Sequence, residues 1–205
     1  MIATKSHPKT TKKLIFKKAE TEQEYANIYE SREKICREKF PYLLNYQNKY
    51  PAEDNFDQHS VLFYVSNEEN NVIGSCRITP YISSEAGWEI SKNLPKNLHL
   101  PFDPQKTVQL NRVYLDNEYR NQNLHVFLFY NFSEWVLKNT IYSDYFATCN
   151  LVLVRLYKEI GARLEIPQGF KLIGRGEHDY YLVSGKITQF NSIIKTKFLN
   201  NDTNR

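Results

Sequence analysis

Glycine is scarce in this chain. Its 205 residues hold seven, at Gly74, Gly87, Gly161, Gly169, Gly174, Gly176 and Gly185. Neither G-x-G-x-x-G nor G-x-x-x-x-G-K-[ST] can be drawn from them, which argues against a dinucleotide-binding loop and a P-loop; both need bare backbone where phosphate approaches. Cysteine is scarcer still. Cys36, Cys76 and Cys149 are odd in number and far apart, against a disulfide framework or a zinc cluster. No apolar run approaches about 18 residues, so no membrane span is expected. The N-terminus lacks the apolar stretch of a secretory signal. A reducing cytoplasm is the simplest compartment, and no metal is expected.

Acidic residues are missing from one place in particular. Residues 1–18 contain Lys5, Lys9, Lys12, Lys13, Lys17 and Lys18 and no acid, while the whole chain is only +4. Without those lysines the balance is 21 bases to 23 acids. The basic character therefore belongs to an N-terminal arm. Such an arm suits an acidic protein or nucleic acid, and a solvated tail is the plainer reading. Hydrophobic residues at 41% and aromatics at 14% are enough for one core. The expected organisation is an arm over 1–13, one domain over 14–190 and a polar tail over 191–205.

The pattern along the chain alternates strands and helices. Leu14 to Phe16 reads as a strand. Thr21 to Glu24 is a capping box opening a helix that Pro41 stops. Residues 41–57 read as irregular. Ser60–Ser66 and Val72–Thr79 read as a hairpin around Asn67 to Asn71. Residues 81–106 read as a loop with a short helix near Trp88, and Thr107–Leu115 as a central strand. A helix over 120–139, a strand at Asp144–Thr148, a helix at Leu151–Ile160 and late strands at Lys171–Ile173 and Tyr180–Ile187 follow. The implied class is α/β, a mixed and mostly antiparallel sheet with helices on both faces.

This order resembles the GNAT superfamily of acyltransferases. The stretch from Asn150 through Tyr157 to Gly161 is similar to that family's strand-to-helix unit. A closer resemblance is to acyl-homoserine-lactone (autoinducer) synthases and N-acyl amino acid synthases. Four features carry it, in order: Arg32 in the first helix, Asp54 and Asp57 as D-x-x-D before a strand, Gly74 to Pro80 where the synthases read G-x-x-R-L-x-P, with Arg77 and with Ile78 at the Leu, and Val108 to Arg112 where they read W-E-x-S-R. Their strand Glu is Gln109 here, which cannot act as a base.

The resemblance implies transfer of a fatty acyl group from an acyl carrier protein thioester to a small amine, such as an amino acid or S-adenosylmethionine. It implies no tightly bound cofactor and no nucleic-acid partner. Gln109, Arg112, the backbone at Val113 and Tyr157 would serve catalysis. Val113 would offer an oxyanion donor, and Tyr157 would protonate the leaving thiolate, with a core-flanking Tyr as the rival reading. Arg32, Asp54, Asp57, Arg77, Tyr114, Leu115, Thr148 and Asn150 would bind substrate. Arg77 and Arg112 sit on otherwise apolar strands and need charged partners, for which Asp54, Asp57 and Glu89 are the candidates. His59 reads as surface, and Cys149 as an inert buried thiol more than a nucleophile. The apolar set Phe127, Phe129, Phe132, Trp135, Tyr145 and Phe146 reads mainly as core. Coenzyme A-binding GNATs place glycines where Asn123 and His125 stand, so the stretch from Arg120 tilts the donor toward carrier protein, with Arg120, Asn123 and Arg155 as its contacts. A coenzyme A-dependent acetyltransferase and a non-catalytic binding module with a basic arm are the alternatives.

Overall fold

A computed structural model describes residues 13–83 and 87–199. The basic arm before residue 13 and the residues beyond 199 lie outside that range. Among the described residues there are eight strands, β1 (Ile15–Lys18), β2 (Val61–Ser66), β3 (Val72–Pro80), β4 (Thr107–Leu115), β5 (Asp144–Cys149), β6 (Arg163–Leu164), β7 (Phe170–Lys171) and β8 (Asp179–Lys186). The helices are α1 (Glu22–Lys39), α2 (Leu124–Asn139), α3 (Leu151–Glu159) and α4 (Ile187–Ile194). The sheet order is β1-β2-β3-β4-β5-β8-β6, with β7 also on β8. All the pairings are antiparallel except β4 with β5. The fold class expected from the sequence is the one observed.

Alternation along each strand sorts residues to two faces. On one face Phe63, Cys76, Ile78, Val108, Leu110, Tyr145, Ala147 and Val183 pack under α2, α3 and α4. On the other, Leu62 and Tyr64 pack under Ile28 and Tyr29 of α1. Trp88, Ile90, Phe146, Phe170, Leu172 and Leu182 form a second cluster on this face at the β5–β8 end. Between the two lies a charged region over β3 and β4.

α1 begins at the expected capping box. Thr21 Oγ1 accepts the Glu24 N–H at 3.3 Å, and Glu24 Oε2 accepts the Thr21 N–H at 3.1 Å. Two local readings need correction, and one is refined. α2 starts at Leu124, not residue 120, because Asn123 adopts φ 54° and breaks the backbone between a 3-10 stretch (Asn117–Gln122) and the helix. The short helix expected near Trp88 is present as a five-residue 3-10 helix, Glu89–Asn93. α4 crosses residue 190, where the sequence reading ended the domain. Its Ile187, Phe190 and Ile194 recur at helical spacing and are buried against α2, but the alternating run before them reads on into the helix as strand.

Candidate active site

β4 is the strand that opens the sheet. Its pairing with β5 joins only Thr107, Val108 and Gln109 to Asp144, Tyr145 and Phe146. Beyond Gln109, β4 runs on to Leu115 and β5 to Cys149 with no pairing between them. The two strands therefore bound a gap. On the other edge, β3 and β4 pair Ser75 with Tyr114 and Arg77 with Asn111, so that Arg112 and Val113 stand against Cys76 alone. This is a bulge, and Arg112 carries it at φ 49°. A non-glycine residue in that region costs on the order of 1–3 kcal/mol and persists only where its surroundings over-determine it.

The surroundings of Arg112 are a buried ionic cluster. Arg112 Nη2 lies 2.7 Å from Asp54 Oδ2 and 3.2 Å from Glu89 Oε1. Arg77 Nη1 meets Asp54 Oδ1 at 2.6 Å and Asp57 Oδ1 at 2.7 Å, and its Nε donates to Asn111 Oδ1 at 2.9 Å. Arg32, reaching in from α1, pairs with Asp57 at 3.2 Å. Its guanidinium lies 5.9 Å from the ring centroids of both Tyr29 and Tyr114. Arg32 and Arg77 are 1% and 0% exposed. The two Asp residues also fix their own loop, as Asp54 Oδ1 accepts the Phe56 N–H and Asp57 Oδ2 the Asp54 N–H. Turn capping and ion pairing are thus both true of them.

Glu89 is the hub on the far side. Gln109 Nε2 and Asn111 Nδ2 each donate to its Oε2 at 3.2 Å, and Arg175 pairs with its Oε1. The carboxylate absent from the strand at Gln109 is thus held beside it by Gln109 itself. Burial alone would raise Glu89, but Arg112, Arg175 and Arg77 outweigh it and hold the carboxyl below the usual range. Asp54 is likewise pushed up by burial and held well below its ordinary value by Arg112 and Arg77.

The remaining expected residues fall around this cluster. Tyr114 is buried beside Arg32, with Cys36 and Arg112 as its hydroxyl's partners. Val113 and Leu115 pack toward the α2 face. Thr148 lies on β5 across the gap, and Asn150 caps α3, accepting the Leu153 N–H at 3.1 Å. Tyr157 is buried near Cys149 and Tyr145 of β5 and Cys76 of β3, and burial keeps its phenol protonated far above neutral pH. Arg155 is exposed on α3, Asn123 is exposed at the start of α2, and the Arg120 side chain lies outside the described part. His59 is exposed, 3.1 Å from Gln58. Burial pushes the Cys149 thiol up to about 12, so it is not a thiolate at neutral pH. Phe129, Phe132 and Tyr145 belong to the core on the α2 face, whereas Phe146 faces the other way, stacked on Phe102 at 4.7 Å.

Arg175, Asn111 and Thr79 were not picked out from the sequence. The signal for Arg175 was its place between Gly174 and Gly176. A groove of about 820 Å³ lined by Glu30, Glu38, Glu68, Asp116 and Glu118 lies outside the cluster. Size alone does not make it the site, since it lacks the convergent buried groups found at β4.

A bulged central strand splayed from its parallel neighbour, with α1 on one face and α2 to α4 on the other, is the fold of the GNAT acyltransferases. Among solved structures, the chain is similar to the AHL synthase LasI, with TM-score 0.69 and 11% identity over 86% of this chain and 91% of that one. It is also similar to the CoA-dependent acyl-homoserine lactone synthase BjaI, solved with SAM and isopentyl-CoA, with TM-score 0.68 and 16% identity over 89% and 88%. A third is a putative N-acetyltransferase from Lactobacillus plantarum, with TM-score 0.60 and 12% identity over 85% and 98%. At such identities the likeness is one of fold. No protein-family model matches the chain, and no curated protein matches it by sequence.

Proposed function

We propose that this chain is an N-acyltransferase that moves a fatty acyl group from an acyl carrier protein thioester to a small amine. The observation that carries the reading is the buried acid–guanidinium cluster set against the bulged, splayed part of β4. Such a cluster is a poor way to gain stability, because desolvating the charges offsets much of their attraction. Its place beside a gap in the sheet makes sense if one substrate enters the gap and the other meets the acids.

In this reading the thioester lies between β4 and β5. The amine, after losing a proton, attacks the carbonyl carbon; the C–N bond forms and the C–S bond breaks. The Val113 backbone N–H, turned by the bulge, supports the oxyanion, a contact worth about 2.7–4 kcal/mol in comparable enzymes. Tyr157, kept protonated by burial, donates a hydrogen bond to the departing thiolate, which takes its proton from the water that received the amine's. Glu89 and Asp54 are held too acidic to be strong bases. Their role is to hold the ammonium before its proton passes to water.

A coenzyme A donor is the second reading, and Asn123 favours it. Its left-handed backbone gives α2 the entry that a glycine would give, which weakens the steric objection to a diphosphate there. Purified protein assayed with acyl carrier protein thioesters and acyl-CoA across chain lengths, against a panel of amines, tests both. Thiol release with formation of an N-acyl product is expected, faster from the carrier protein. Release from neither donor refutes the proposal.

A further inference from the structure

The cluster is unbalanced. Four guanidinium groups, from Arg32, Arg77, Arg112 and Arg175, share three carboxylates, from Asp54, Asp57 and Glu89. Among the described residues, Arg32 Nε and Nη2, Arg77 Nη2 and Arg112 Nε are buried without a hydrogen-bond acceptor. The region is thus short of one negative charge, and its four donor atoms without a hydrogen bond outnumber its one such acceptor, Asp54 Oδ2. Buried donors in this state favour an added anion.

Arg175 is placed to meet that anion first. It is the outermost of the four, with its side chain 16% exposed against 0–11% for the others. It belongs to the connection between β7 and β8. That connection is pinned on one side, where Ile173 N–H donates to the Asn93 carbonyl at 2.8 Å and Asn93 Nδ2 to the Ile173 carbonyl at 2.7 Å. Past the pin, Gly174 and Gly176 stand at φ 75° and 72°, with open space around Gly174. Two of the seven glycines of the chain thus flank the one arginine, in backbone geometry that side chains rarely adopt.

We propose that Arg175 binds the carboxylate of the acceptor, so that the site selects amines bearing a carboxylate beside the amino group. This rests on the acyl-transfer reading above. Without acceptor, Arg175 is held by Glu89. An α-amino acid or related zwitterion exchanges that pair for two, its carboxylate on Arg175 and its ammonium on Glu89. The zwitterion itself is neutral and leaves the surplus positive charge in place. Once the amine has lost its proton, the bound acceptor carries −1 and the surplus is matched. The imbalance therefore favours the nucleophilic form of the amine and the acylated product, which keeps the carboxylate. An amine without a carboxylate gains none of this.

The test uses the full chain, its Arg175→Ala and Arg175→Lys variants, the standard α-amino acids and S-adenosylmethionine, and the carboxamide of each acceptor that turns over. For the native chain, KM for the acid is expected to lie about 30-fold or more below that for its carboxamide. Arg175→Ala, which also takes a partner from Glu89, should raise KM for the acid by about that factor more than KM for the carboxamide. Arg175→Lys should recover part of the difference. An equal loss for acid and carboxamide, or no loss for either, overturns the assignment while leaving acyl transfer intact. If no amine turns over, the acyl-transfer reading fails separately. Thermal shifts with the same acids and with the carboxamides of the standard amino acids then decide the carboxylate site. Stabilisation by acids only, lost in Arg175→Ala, supports it, and no difference refutes it.

Discussion

Cys76 and Arg77 are neighbours on one strand and face opposite interiors. Cys76 looks into an apolar core closed by α2, α3 and α4, where Phe63, Phe129, Phe132 and Phe190 pack ring against ring. Arg77 is as buried as Cys76 but looks into opposite chemistry, ringed by Asp54, Asp57, Glu89 and Asn111. The first face gains stability from area removed from water. The second gains little net stability from its pairs, yet breaking a pair is costly because the partner is left charged and buried. One face holds the sheet together, and the other is what the sheet holds.

The sharpest way to separate them is to damage each once. Phe132→Ala should cost about 3–5 kcal/mol by leaving a cavity, and acyl transfer at low temperature should persist. Arg77→Ala should cost less, about 1–3 kcal/mol, since Asp54 and Asp57 keep Arg112 and Arg32, and should abolish transfer at any temperature. Denaturant melts with paired assays at 10 °C check both. Equal retention of activity would erase the distinction between the faces.

Glu89→Gln is a smaller cut with a cleaner meaning. It keeps the shape of the hub and removes its charge, leaving Arg112 and Arg175 without that partner. Loss of one member of a buried charge pair is worth about 2–5 kcal/mol, so kcat/KM should fall by roughly 30-fold or more. Activity within threefold of the native chain would place the acceptor elsewhere than the cluster.

The apolar face was readable from the sequence, and the charged face only in part. Val108, Leu110 and the residues of α2 declare their face by period, and Thr21 with Glu24 declares where α1 starts. Arg77 and Arg112 were conspicuous as charges on apolar strands, and Asp54 and Asp57 stood out by spacing. Arg175 had only its flanking glycines to mark it, because its partner Glu89 is 86 residues away and nothing local names so distant a pairing. The bulge was hidden for a similar reason: Arg112 has no residue preference for a positive φ, and only its partners hold it there. α4 was missed because its apolar residues continue an alternating run.

Acid should affect the faces differently. Asp54 and Glu89 titrate below their ordinary values in the folded chain. Their contribution is therefore complete above the unfolded carboxylate range near pH 4 and is lost as pH falls through their lower folded values. The stability gap between the native chain and Arg77→Ala should narrow by about 1 kcal/mol or more between pH 6 and pH 3. The gap for Phe132→Ala should stay flat, since no charge is involved. Urea melts across that range measure both, and parallel curves would mean that the carboxylates are not held by the arginines.

The mildest change tests whether the position of α1 and the chemistry of Arg32 are separable. Thr21 caps α1 at its far end from the cluster, and Glu24 is held in place by the Glu20 and Thr21 N–H groups and by the Tyr64 hydroxyl at 2.8 Å. The Glu20 N–H bond leads the causes that lower Glu24 to about 2. Its contribution is present above about pH 4.5 and is lost only as pH falls toward that value. Thr21→Ala removes the hydroxyl's two bonds, from the Glu24 N–H and to Glu24 Oε2, and leaves the Glu20 and Tyr64 contacts. The cost should be about 1 kcal/mol, nearly constant from pH 5 to pH 8, with acyl transfer unchanged. Arg32 is eleven residues along the helix and is fixed by Asp57 and two tyrosine rings, so fraying of the first turn should not reach it. A drop in transfer out of proportion to the stability loss would show that the charged face depends on the helix as a whole, and that the cluster is positioned by α1 more than by its own ion pairs.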